Sequence, residues 1–346
     1  MEIIELLTPH YEAAWLPWAV QYFFLVGMAT GAALLAARGA WSKPDAPAAR
    51  ALPLAIVLLL VTTVTAPVSL LADLHQPARF WHFYAHLTPW SWMSLGALLL
   101  PAFVSLSLGM CLAWWLGSIR WMRILAVPLV ISAASIVIYT GAEIAVVRAR
   151  PLWHNPWVPV NLGLTAWLAA IGAALLLSQW MPAGRDLAVR AWLGRLGLFL
   201  SLALLATAGI WMISGVVMRT PSFEAATALY SRFPIWRISL WLSAILGAMV
   251  LALWLLPRLW LHSRAMQITL GVAVCAAAWG FRWALFMGVQ GVPKYGAGLY
   301  VYHMPLGGDG LMGIIGVFGF CVAVLTLALW ALELWPARAA PAPGHA

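Results

Sequence analysis

The stretch LPLAIVLLLVTTVTAPVSLLA, residues 52–72, carries no charged side chain, and DLHQPARFWHFYAHLTPWSW, residues 73–92, follows it directly. An α-helix needs roughly 20 apolar residues to cross the hydrocarbon core of a bilayer, and the first string supplies them. The second is dense in Asp, His, Arg and Trp, the residue types of a membrane–water interface. The rest of the chain repeats this alternation. Of its 346 residues 64% are hydrophobic and 8% charged, with 23 Trp and a mean hydropathy of +0.93. A soluble domain carries about 25% charged residues, so this chain lacks the side chains to cover a water-exposed globule. The fold class is an all-α integral membrane protein.

Nine stretches meet the span criterion, at about 17–37, 52–72, 92–117, 121–146, 158–180, 192–217, 236–256, 266–291 and 311–332. An odd number puts the termini on opposite sides. Eleven Lys and Arg fall on the side of the first connecting loop and seven on the other, with Arg282 inside a span. That excess predicts a periplasmic N-terminus and a cytoplasmic C-terminus. The net charge of +9 then serves topology and lipid headgroups, and no nucleic-acid partner is implied. The opening residues MEIIELLTPHYEAAWLP hold Glu2, Glu5 and Glu12 where a targeting peptide would be basic, so the first span is expected to be retained. Residues 1–335 read as one polytopic domain and 336–346 as a disordered tail.

The chemistry gathers on the expected outer side. His10, His75, His82, His86, His154 and His303 fall there, and the connections 73–91, 148–157 and 292–310 are long and mixed in character. Asp73, His75, Arg79, His82 and His86 offer proton-exchanging groups and a fixed cation. The same string also reads as an interfacial belt with Trp81, Trp90 and Trp92 at headgroup depth, and by residue type His75, His82 and His86 form a metal set. Tyr139 and Glu143 share one face of the fourth span. A carboxyl group at that depth is either functional or paired, with Arg148, Arg79 or Arg282 as the available cations. Trp18, Gln21 and Tyr22 stand near the outer end of the first span; Gln21 suits a ligand carbonyl or a helix–helix hydrogen bond. Gly27 and Gly31 have small-xxx-small spacing and predict tight helix packing. Arg282 demands an anion or a water-filled path. Cys111, Cys275 and Cys321 lie apart, without metal or disulfide spacing. No histidine falls inside a span, so haem ligation is not expected and any quinone and its electron acceptor must meet on one side.

Four strings together, WLPWAVQYFFLVGMATGAALL (15–35), ADLHQPARFWHFYAHLTPWSWMSLGALLLP (72–101), IYTGAEIAVVRARPLW (138–153) and GVPKYGAGLYVYHMPLGGDGLMGIIGVFG (291–319), resemble the NrfD/polysulfide-reductase family of membrane subunits, in its tetrathionate-reductase branch. The resemblance implies a quinol-oxidising subunit of a molybdopterin oxidoreductase complex in the bacterial inner membrane, without haem or metal of its own. Helices 1–4, at about 17–146, would bind menaquinol or ubiquinol near the periplasmic face, and helices 5–9, at about 158–332, would form a second bundle. Electrons would pass to a periplasmic iron–sulfur subunit and then to a molybdopterin catalytic subunit, where the terminal chemistry lies. The family's YTG tyrosine matches Tyr139, its polar group on the first helix falls at Gln21, and its Asp…Arg pair matches Asp73 and Arg79. On this reading Tyr139 bonds the headgroup and Asp73, His75 or Glu143 accept protons. Arg79 holds Asp73 ionised or docks the partner. Trp18, Tyr22, Trp81 and His82 complete the cofactor-binding set. Two readings stay open beside it: the same scaffold reducing quinone, and a proton or small-solute transporter supported by Glu143 and Arg282.

Overall fold

The computed structural model describes residues 15–74, 76–292, 300 and 302–338. His10, His75, Lys294, His345 and residues 339–346 of the tail lie outside the described residues. Among the described residues there are nine helices long and apolar enough to cross a membrane. They are α1 (Pro17–Ala40), α2 (Leu52–Asp73), α3 (Trp92–Trp115), α4 (Ile119–Ala145), α5 (Trp157–Leu177), α6 (Leu187–Met218), α8 (Pro234–Leu255), α9 (Arg264–Trp283) and α10 (Leu311–Leu334). A further helix, α7 (Pro221–Arg232), is too short to span. It follows Arg219, which ends α6 in the left-handed conformation at φ 48° and lets the chain turn sharply into Pro221. The apolar-run criterion passes over α7 because its 12 residues include Glu224 and Arg232. Proline opens α1, α7 and α8, where its missing N–H would have had no intrahelical partner anyway.

The end of the bundle where α1 begins is called the upper end below, and the opposite end the lower. Helix α1 packs on α2, α4, α5, α9 and α10, and it is buried on every side. A helix apolar all round belongs in an interior, and α1 carries no charge between Pro17 and Ala37. Helices α1 to α4 close a ring, each on its neighbour and α4 back on α1; α5, α6, α8 and α9 close a second. The seam joins α1 and α4 to α5 and α9. Helix α10 packs on α2 and α1, against the first ring. Peripheral α6, α8 and α10 leave most of their apolar side chains exposed, as lipid-facing helices do.

Lipid tails are as apolar as leucine, so close packing and hydrogen bonds hold spans together. Small residues make α1 the hub. A Cβ on Gly27 would overlap that of Ala166, and one on Gly31 would overlap that of Ala170, so the α1 backbone lies directly on a matching small stripe of α5. At the lower end the basic side chains bind the carbonyls that end helices: Arg123 Nε reaches Ala40 O at 3.1 Å, and Arg190 Nε reaches Gly184 O at 2.7 Å. Arg50 pairs with Asp186 at 2.5 Å. Gly31→Ala should overpack the α1–α5 contact and cost about 1–3 kcal/mol. Thermal denaturation in detergent checks this, and adding Ala170→Gly to the same chain should recover part of the loss.

Candidate functional site

The upper end of α4 brings Tyr139 and Glu143 one turn apart on one face, close enough for the phenol and the carboxyl group to interact. Tyr139 is buried and Glu143 half-buried. The phenol lies flat on α3 at Gly96, where any Cβ would collide with the ring and its hydroxyl. Tyr22 of α1, also buried, stands close enough to both groups to interact with them electrostatically. Two phenols and a carboxyl group thus converge between α1, α3 and α4. At 1.5 Å per residue Glu143 lies about 3 Å, and Tyr139 about 9 Å, below the end of α4.

Other expected site residues go elsewhere. Asp73 ends α2, and its Oδ1 accepts the Leu16 N–H at 3.1 Å, so it holds the start of α1. Gln21 turns away from Tyr139 toward α9, where its Oε1 accepts the Trp279 Nε1–H at 3.3 Å. Its buried amide nitrogen has no partner among the described residues. Trp18 packs against Gly313 of α10. Arg79, Trp81 and His82 are exposed on the connection between α2 and α3, in a turn that carries Phe80, Tyr84, Leu87 and Trp90 outward as well. Trp81 and His82 stack edge-on at 4.0 Å, and His82 and His86 at 5.9 Å. The connection folds back through Thr88, whose N–H and hydroxyl meet Ser94 Oγ. Among the described residues no three His, Cys, Asp or Glu side chains cluster as a metal site.

The family profile "Polysulphide reductase, NrfD" matches residues 6–294. The chain is also 36% identical, over 338 residues covering 94% of each chain, to a tetrathionate reductase subunit of Salmonella typhimurium. The chain belongs to the NrfD family. In this NrfD protein two sets of polar groups inside the spans stand out, one at Tyr139 and one around Arg282.

Arg282 is fully buried, yet among the described residues no carboxylate lies within 4.0 Å of it, and Glu143 is in no ion pair. The demand for an anion is met instead by neutral acceptors on three helices. Nε donates to Phe23 O of α1 at 3.0 Å, Nη2 to Leu162 O of α5 at 3.1 Å, and Nη1 to Thr165 Oγ1 at 3.2 Å and Ala278 O at 2.9 Å. A cavity of about 10 Å³, the size of one water, touches the guanidinium, Thr140 and Gly27. One turn further on, α9 loosens into a π-turn at Ala284–Gly288, and its freed Leu285 carbonyl accepts Trp153 Nε1–H at 2.7 Å.

Residues absent from the sequence-based set build the upper rim. Trp15, Phe23, Trp153 and Phe286 form an aromatic box with centroid separations of 4.3–5.7 Å. Gln290 clamps Trp15 by its own amide, donating to Trp15 O at 2.8 Å and accepting from Trp15 N at 3.2 Å. Arg150 caps Trp153 and donates to Val289 O and Val292 O at 2.8 and 2.9 Å. The sequence offers no signal for these long-range pairings, nor for the phenol's seat at Gly96, one of two glycines in its span. Outside the spans, burial first, then Asp309 and Tyr300, raise the Tyr302 phenol above its ordinary value, so it remains the donor of its 3.4 Å bond to Asp309 O. Arg282→Lys has fewer donors and a different shape, and should cost about 1.5–3 kcal/mol for each charge-assisted bond lost. The check is the thermal midpoint in detergent, with exposed Arg148→Lys as the near-neutral comparison.

Proposed function

We propose that this protein is the quinol-oxidising membrane subunit of a tetrathionate-reductase-type complex in a bacterial inner membrane. The observation that carries the reading is the Tyr139–Glu143 pair, seated on Gly96 and backed by Tyr22, near one end of a membrane-spanning helix. A carboxyl group inside a span, beside a phenol and unpaired with any cation among the described residues, suits proton transfer. Family membership and the likeness to the Salmonella protein support the same assignment.

Quinol oxidation releases two electrons and two protons. Tyr139 would hydrogen-bond a headgroup oxygen and hold it against α3, while Glu143 accepts a proton and passes it toward the upper end, about half a helical turn away. Tyr22 closes the site from the α1 side. The donor set fits a headgroup that presents a hydroxyl: a phenol to orient it beside a carboxylate that takes its proton. Asp73, at the upper end of α2, stands where a released proton meets solvent, and its bond to Leu16 keeps α1, and with it Tyr22, in register. The exposed turn with Arg79, Phe80, Trp81, His82, Tyr84 and Trp90 is the docking face for a periplasmic iron–sulfur subunit, which feeds a molybdopterin catalytic subunit. The N-terminus is then periplasmic.

In the assembled complex, Glu143→Gln is expected to lower quinol-dependent turnover on the order of 10²-fold, with assembly intact by co-purification. Tyr139→Phe is expected to lower it about tenfold through the lost hydrogen bond. Unchanged turnover in both variants removes this pair from the site. Gly96→Ala, which leaves both groups in place but displaces the phenol, should resemble Tyr139→Phe.

A further inference from the structure

Along the flank of α4 that meets α5 there is a second concavity, of about 490 Å³, lined by Ile138, Ala142, Ala145, Val146, Arg148, His154 and Pro159. Its floor exists because Gly141 has no side chain: Pro159 of α5 packs directly onto the α4 backbone there. The wall from Ile138 to Val146 runs about 12 Å along the helix axis, and both of these residues are exposed. Further down α4 the apolar strip continues through the exposed Ile131 and Val127. The upper rim is cationic. Arg148 is exposed and has no carboxylate within 4.0 Å among the described residues. His154 binds Ala145 O through Nδ1 at 2.6 Å. A carbonyl only accepts, so Nδ1 carries a proton and Nε2 is the ring's free polar atom.

From this arrangement we infer that the groove binds an anionic phospholipid, with its phosphate against Arg148 and His154 and an acyl chain along Ile138–Val146. Charge complementarity and shape support the same occupant. A guanidinium just beyond a helix end matches headgroup depth, and the apolar wall below it matches a chain and offers nothing to a free anion. A zwitterionic lipid would bring its own cation to Arg148. The inference does not depend on quinol chemistry, since none of the residues lining the groove is assigned to the quinol site.

The test is native mass spectrometry of the full-length protein from detergent, offered phosphatidylglycerol or phosphatidylcholine with identical acyl chains. Phosphatidylglycerol should be retained roughly tenfold better. Arg148→Gln combined with His154→Gln should bring its retention down to that of phosphatidylcholine. Val146→Trp, which fills the groove and keeps both Arg148 and His154, should lose the lipid too. Equal retention of the two lipids by the unaltered protein overturns the proposal. So does retention of phosphatidylglycerol by Val146→Trp, or its displacement by millimolar inorganic phosphate. If the double variant fails to fold by thermal denaturation, the unaltered protein and Val146→Trp still decide the matter.

Discussion

A guanidinium buried in the middle of the protein, with neutral acceptors in place of a counter-ion, ties the two helix rings together. Arg282 of α9 donates to backbone carbonyls of α1 and α5 and to Thr165, so α1, α5 and α9 are fixed at the seam by the same planar group. In hydrocarbon an unmet donor is costly, and this sets the relative height and rotation of the three helices to within hydrogen-bond tolerance. The approach needs Gly27, because a Cβ there would stand only 3.0 Å from Nη2.

From that seam the position of α1 follows, and from α1 the position of the site. Small residues let α1 sink between α2, α4, α5 and α9, with bulkier Tyr22 turned to Tyr139 and Glu143 and neighbouring Gln21 turned to Trp279. Adjacent residues on a helix point about 100° apart, which is why these two meet different helices. The upper rim keeps α1 from sliding: Asp73 holds Leu16, Gln290 holds Trp15, and the aromatic box with Arg150 closes over both. The Tyr139–Glu143 pair is thus held by a rigid frame, while the exposed turn after α2 is held mainly by Thr88 and Ser94.

Much of this is legible in the sequence. Each of the nine expected spans coincides with a helix, although α6 starts earlier, at Leu187, and α9 gives way to the π-turn after Trp283, because a run of apolar residues long enough for a bilayer leaves the backbone no alternative to helix. Tyr139 and Glu143 are visible as neighbours because i and i+4 share a face in any α-helix. Gly27 and Gly31 are legible as a packing stripe, though not that Ala166 and Ala170 would meet them. The short helix α7 escapes because nothing in its length distinguishes it from a polar loop, and the π-turn escapes because a carbonyl released at Leu285 is stabilised by Trp153, 132 residues away.

The chain by itself determined how many times it crosses the membrane and where its charges and histidines fall, since both follow from local composition against the thickness of a bilayer. Tertiary structure alone decided who meets whom. Arg282 reads from sequence as a charge in need of an anion, and only the packing of α1 and α5 supplies carbonyls in its place. Gly96 has no meaning until α3 lies against the phenol of α4. Such pairings depend on the relative rotation and height of helices far apart in the chain, and a periodic apolar pattern carries no record of either.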